Sequence, residues 1–80
     1  MTADAVLVAE FQKNRNGAAI RVSLRRVEQL AFVDIQEWRP VPGDKLAPTA
    51  KTVTFGVHLL GDLATAIEKA TKLAREWGVT

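Results

Sequence analysis

The sequence predicts an α+β domain: a four-stranded antiparallel sheet followed by one C-terminal helix, paired with a second copy through that helix. Three observations carry this. Ile20, Val22 and Leu24 alternate with Arg21, Ser23 and Arg25, the period of a half-buried strand. Leu60, Leu63, Ile67, Ala70, Ala74 and Trp77 recur at steps of three and four, the period of a helical stripe. At 80 residues without a cysteine, the chain makes one domain, 1–80, whose small core needs an extension that disulfides do not supply; dimerisation is the common remaining device.

The first strand, expected over 5–14, is rich in Val, Leu, Ala and Phe. Its facing is ambiguous, because Leu7, Ala9 and Phe11 share one parity while Val6 and Val8 share the other. Asn14-Arg15-Asn16-Gly17 supplies a hairpin turn, since Asn and Gly tolerate the positive φ that tight hairpins require. The alternating segment forms the second strand, 18–26. Glu28 and Gln29 turn the chain into a third, 30–38, with Ala31, Val33 and Ile35 on one face and Phe32, Asp34, Gln36 and Trp38 on the other. Arg39 to Thr49 holds all three prolines and is expected to be a loop, because proline cannot sit in a central strand. Alternation resumes over 51–57, with Val53, Phe55 and Val57 inward and Thr52 and Thr54 outward. The helix, 59–77, has Asp62 to cap free amides, Lys72 and Arg75 at its negative end and Gly78 as a left-handed stop. Leu59, Ala66 and Leu73 widen its stripe enough to touch a sheet and a partner helix together.

One helix covers one side of a sheet, so the other side is left open. It is expected to display Arg21, Ser23, Arg25, Phe32, Asp34, Gln36, Trp38, Thr52 and Thr54. Formal net charge is only +2, yet from Phe11 to Val27 every charged residue is a cation: Lys13, Arg15, Arg21, Arg25 and Arg26. Single strands bind where cations follow the phosphates and flat rings accept unstacked bases. On this reading Arg21 and Arg25 form the phosphate track, Lys13 and Arg15 border it at the hairpin tip, Lys45 and Lys51 border the other edge, and Trp38 stacks a base. The bland alternatives are a solvated strand face for the arginines and a core or dimer-seam contact for Trp38 and Phe32. Asp34 is expected to bond Arg21, Arg25 or a backbone amide.

Catalysis is not expected. His58 is the one histidine and reads as structural, no serine sits in a nucleophile elbow, and Asp34 and Glu37 point to opposite faces of a strand. No cofactor or metal site is implied. Met1-Thr2-Ala3-Asp4 places no basic segment before a long apolar run, which predicts a cytoplasmic protein with no membrane partner.

VDIQEW in the third strand, PTAKTVTF entering the fourth, AEFQKN in the first and IRVSL in the second resemble the positive cofactor 4 family of transcriptional coactivators, its bacterial members above all. The resemblance runs from about Ala9 to about Ala70. It implies a homodimer of curved antiparallel sheets joined through the helices, similar in architecture to the Whirly-like single-strand binders. Such a protein holds single-stranded or melted DNA with little sequence preference, near the transcription machinery and, in a bacterium, the nucleoid. Gln36 stands where the family commonly has an arginine, Ala50 replaces the first of two lysines, and Thr52 replaces the glycine after them; Pro48, Thr49 and Lys51 remain. Glu28 and Leu30 occupy a turn region where other members carry lysines, leaving Arg21, Arg25 and Arg26 to compensate. The rival expectation is a protein-interaction dimer that keeps the scaffold with weak or no nucleic-acid binding.

Overall fold

The computed structural model describes residues 4–78; the opening Met1, Thr2 and Ala3, read above for a leader, lie outside it. Four antiparallel strands, β1 (Asp4–Gln12), β2 (Ala19–Val27), β3 (Leu30–Val41) and β4 (Lys45–Gly56), lie side by side in chain order. A 3-10 turn (Val57–Leu59) leads from them into one helix, α1 (Leu60–Glu76).

A bulge resolves the ambiguous facing of β1. Leu7 pairs with Ser23 but Ala9 pairs with Val22, so Val8 is one residue too many for the partner strand. The alternation flips across it: Ala9 and Phe11 share the face of Val22 and Ile20, and Val6 joins them opposite Leu24. Leu7 and Glu10 fall on the other side, with Ser23 and Arg21.

The expected loop from Arg39 to Thr49 is instead the end of one strand and the start of the next. β3 runs on to Val41, the chain turns at Pro42-Gly43-Asp44, and β4 begins at Lys45. Proline is admitted here by position. β4 is an edge strand, so Pro48 needs no amide on its outer side, and Pro40 lies beyond Trp38, where β2 has already ended at Ala19.

All three hairpin turns and the helix end rely on left-handed residues, among them Glu28 at φ 58° between β2 and β3 and Gly43 at φ 93° between β3 and β4. Gly17 has φ 89°, and Asn14 Oδ1 accepts hydrogen bonds from the amides of Asn16 at 3.0 Å and Ala18 at 3.4 Å. Gly78 at φ 75° ends the helix, its amide donating to the Arg75 carbonyl at 3.0 Å. Asp62 does not cap the helix start: Leu59 holds that position with no side-chain bond, and Asp62 lies inside the first turn, near the positive end of the dipole. His58, in the 3-10 turn, folds back over Gly56, where an added Cβ would come within 2.6 Å of its ring.

What this leaves is a slab of 48 × 37 × 18 Å. Its radius of gyration is 15.1 Å, against about 12 Å for a compact chain of this length. The buried apolar residues among those described are Ala18, Ala19 and Val33, and α1 contains none. Phe11, Val6 and Val53 stand exposed on the apolar sheet face, and Ile67 and Trp77 stand 56% and 70% exposed on the helix. No helix among the described residues is long and apolar enough to cross a membrane.

The turn before β2 is constrained in two ways. An added Cβ on Gly17 would approach Pro40 Cγ to 2.9 Å as well as occupying a positive φ. Gly17→Ala is expected to destabilise the protein by about 1–3 kcal/mol, read as a lower midpoint in urea. An unchanged midpoint would show that the hairpin and Pro40 yield without strain.

Candidate nucleic-acid interface

The register gathers the expected open face. Arg21 lies opposite Gln36, Ser23 opposite Asp34 and Arg25 opposite Phe32; on the other side of β3, Gln36 meets Thr52 and Asp34 meets Thr54. Trp38 follows on the same face, beside Ala19.

Each arginine is set between an aromatic ring and a carboxylate. The Arg21 guanidinium lies 4.0 Å from the centre of the Trp38 ring, and its Nε donates to Glu10 Oε2, the direct neighbour on β1. The Arg25 guanidinium lies 5.1 Å from the centre of the Phe32 ring. Its Nε and Nη2 donate to the two oxygens of Asp34 at 2.9 and 3.3 Å, and Thr54 Oγ1 donates to the same carboxylate at 2.6 Å. The Arg25 hydrogen bonds hold the Asp34 carboxyl below its ordinary range, against partial burial that pushes it up, with Thr54 adding to the depression. The same pair raises Arg25. A cation held over a ring in this way is better supplied by a guanidinium, which is planar and weakly hydrated, than by an ammonium.

The lysines are placed otherwise. Lys13 does not border the arginine face; its Nζ reaches Glu37, which lies opposite Ile20 on the apolar side. Lys51 lines an open hollow on that side with Lys13, Ile20, Ile35 and Val53. Lys45 stands opposite Val41 at the far end of the β3–β4 hairpin, and Arg15 is exposed in the first turn. Arg26 also faces away from the arginine track, paired with Asp4 at 2.9 Å. Among the described residues the side chains of Arg15, Lys45 and Lys51 make no hydrogen bond or ion pair. Gln36 donates through Nε2 to the Thr49 carbonyl at 3.0 Å, so it acts on the neighbouring strand.

Glu37 is the residue that sequence reasoning passed over. Its side chain is 2% exposed although it carries a charge. Lys13 donates to Oε2, and Oε1 lies 3.2 Å from Arg39 Nε and 3.3 Å from Thr49 Oγ1. Thr49 also reaches the Glu37 carbonyl at 3.1 Å and accepts the Lys51 amide at 3.1 Å. Here β4 bulges, since Gln36 pairs with Thr52 while Trp38 pairs with Pro48, and Thr49 supplies the bonds the ladder lacks. The available signal was parity: Glu37 falls in step with Val33 and Ile35, on the inward face. Glu10 was hidden for a different reason, because the bulge at Val8 concealed which way it faces.

Along the helix, Leu60, Ile67, Ala70 and Trp77 of the expected dimer stripe are exposed and Leu63 and Ala74 are half-buried. Comparison of the chain with protein-family models, with curated proteins and with solved structures gives no match.

The Lys13 hydrogen bond, opposed by burial and aided by Arg39, lowers Glu37 from 4.5 to about 2. A carboxylate depressed in the folded state adds stability above its unfolded value and loses it as pH falls toward the folded one. Stability should therefore decline from about pH 4.5 down to about 2, partly through Asp34 as well. Glu37→Gln is expected to be less stable at neutral pH and to show a shallower decline in that window, measured by urea midpoints across pH. An equally steep decline would remove Glu37 as a source of the acid sensitivity.

Proposed function

We propose that this chain is a single-stranded-DNA-binding protein of the positive cofactor 4 type, acting as a homodimer in transcription or another process that exposes unpaired DNA. The observation that carries this reading is the pairing of both open-face arginines with aromatic rings, Arg21 with Trp38 and Arg25 with Phe32. Cations and π-faces on one uncovered strand surface are the two groups an extended nucleotide chain engages. Bases in a duplex are already stacked on each other and cannot reach such rings, so single strands are favoured. Capture is passive, with Arg21 as the phosphate contact and Trp38 as the stacking platform. Arg15 adds positive charge at the first hairpin, whereas Lys45 and Lys51 fall on the other side of the sheet, in step with Val41 and Val53.

Homodimerisation is supported by what the single chain leaves uncovered. An apolar sheet face bearing Phe11, Val6 and Val53, and a helix with no buried residue, leave more large apolar side chains exposed than a monomer of this size ordinarily sustains. A second copy applied through the stripe Leu60, Leu63, Ile67, Ala70, Ala74 and Trp77 would cover both.

The rival reading, a protein-interaction dimer with little nucleic-acid affinity, is favoured by two observations. Glu10 and Asp34 already neutralise the two arginines, and Lys13 and Lys51 lie on the opposite side of the sheet.

Binding to matched single- and double-stranded oligonucleotides at several salt concentrations separates the two. The single strand should bind more tightly, and Arg21→Ala should reduce the log–log salt slope by about 0.7, the contribution of one phosphate on a single strand. Equal, weak binding of both forms would select the rival. The dimer is tested separately by Ile67→Asp, which is expected to dissociate and unfold the protein together in sedimentation and circular dichroism. A folded monomeric Ile67→Asp variant would defeat that part of the proposal.

A further inference from the structure

We infer that Glu10 is a built-in stand-in for a phosphate, holding Arg21 on the Trp38 ring until a nucleotide displaces both contacts. The inference rests on the single-strand-binding reading above. A guanidinium 4.0 Å from the ring centre occupies the place a stacked base would take, so Trp38 cannot accept a base on that side while Arg21 stays. In the exchange a phosphate takes over the Arg21 hydrogen bond from Glu10, the base takes the ring face that Arg21 leaves, and Glu10 turns to solvent. Charge pairing at Arg21 is preserved throughout. A duplex offers the phosphate but not the base, and so completes half of the exchange.

The two arginine sites differ in the way this requires. Arg21 meets Glu10 through one nitrogen and one oxygen, between direct cross-strand neighbours at the edge of the sheet, and the Glu10 side chain is 39% exposed against 22% for Asp34. Its terminal nitrogens make no hydrogen bond among the described residues, which leaves an initial grip for the incoming phosphate. Arg25 is held by both oxygens of Asp34, and that carboxylate is further fixed by Thr54 from β4. Displacing Arg25 would break two hydrogen bonds and leave Asp34, still held by Thr54, without its cation. Arg21 is therefore the exchanging residue and Arg25 a fixed support, although strand alternation makes them look equivalent.

The test compares the parent chain, Glu10→Gln and Glu76→Gln, the last removing the same charge from the exposed helix surface. Affinity for a single-stranded oligonucleotide at low salt should rise roughly two- to fivefold in Glu10→Gln, the range of an exposed ion pair, and by less in Glu76→Gln. Quenching of tryptophan emission by acrylamide should also increase in DNA-free Glu10→Gln alone, because its indole at Trp38 is less firmly covered. If the parent chain binds single strands and Glu10→Gln matches Glu76→Gln in both measurements, the stand-in role is wrong while the binding function stands. If the parent chain shows no preference for single strands, both fall.

Discussion

A carboxylate almost sealed from water fixes one end of this sheet. A buried charge left without partners is unfavourable by several kcal/mol, so Glu37 admits few arrangements around it. Its partners come from three separate places: Lys13 from the first hairpin, Arg39 from the extension of β3, and Thr49 from the bulge in β4. These segments must meet at one point. The bulge in turn decides which residue of β4 faces Trp38, and Ala19 on the other side gives the indole a small neighbour. The seat of Trp38 on the open face therefore follows from a polar cluster on the opposite face.

The two faces have sorted the cations by chemistry as well as by parity. The arginines Arg21 and Arg25 lie along rings, where a planar guanidinium loses little hydration. Lys13 extends to a buried carboxylate and Lys51 borders a hollow open to water. The run of positive charge from Phe11 to Val27 thus overstates the field on the candidate interface, because Lys13 and Arg26 project to the other side and Glu10 and Asp34 sit beside the remaining arginines. On the proposed function, affinity would draw more on ring stacking and local exchange at Arg21 than on long-range attraction.

Periodicity made much of this visible beforehand. β2, the core of β3 and α1 were legible because each repeats its pattern over several residues and nothing interrupts it. Val8 interrupts β1, and a one-residue bulge reverses every side chain beyond it, so neither the partners of Phe11 nor those of Glu10 could be read. Pro40, Pro42 and Pro48 suggested a loop because the rule against strand prolines is a rule about paired amides, and sequence does not say which strands lie at an edge. Glu37 had the parity of a core residue, but its partners lie 24 residues away at Lys13 and 12 at Thr49. Local pattern could place that charge inward without revealing what would neutralise it.

Assembly and binding, as proposed, meet on a single strand. Val33, 2% exposed, lies between Leu24 and Phe55 on the apolar face of β3, while its neighbours Phe32 and Asp34 stand on the other face with Arg25. A second copy covering the apolar side would pack on Leu24 and Val53, around the already buried Val33, and limit how far β3 can flex. Phe32, Asp34 and Trp38 move with that backbone, so the ring spacing on the open face becomes fixed when the apolar face is closed. Arg21 is bound by β1 and Trp38 by β3, and motion between those strands is what would otherwise spoil their stack. Dimerisation would therefore act on nucleic-acid affinity without contributing one residue to the interface, by holding still the strands on which the rings are mounted.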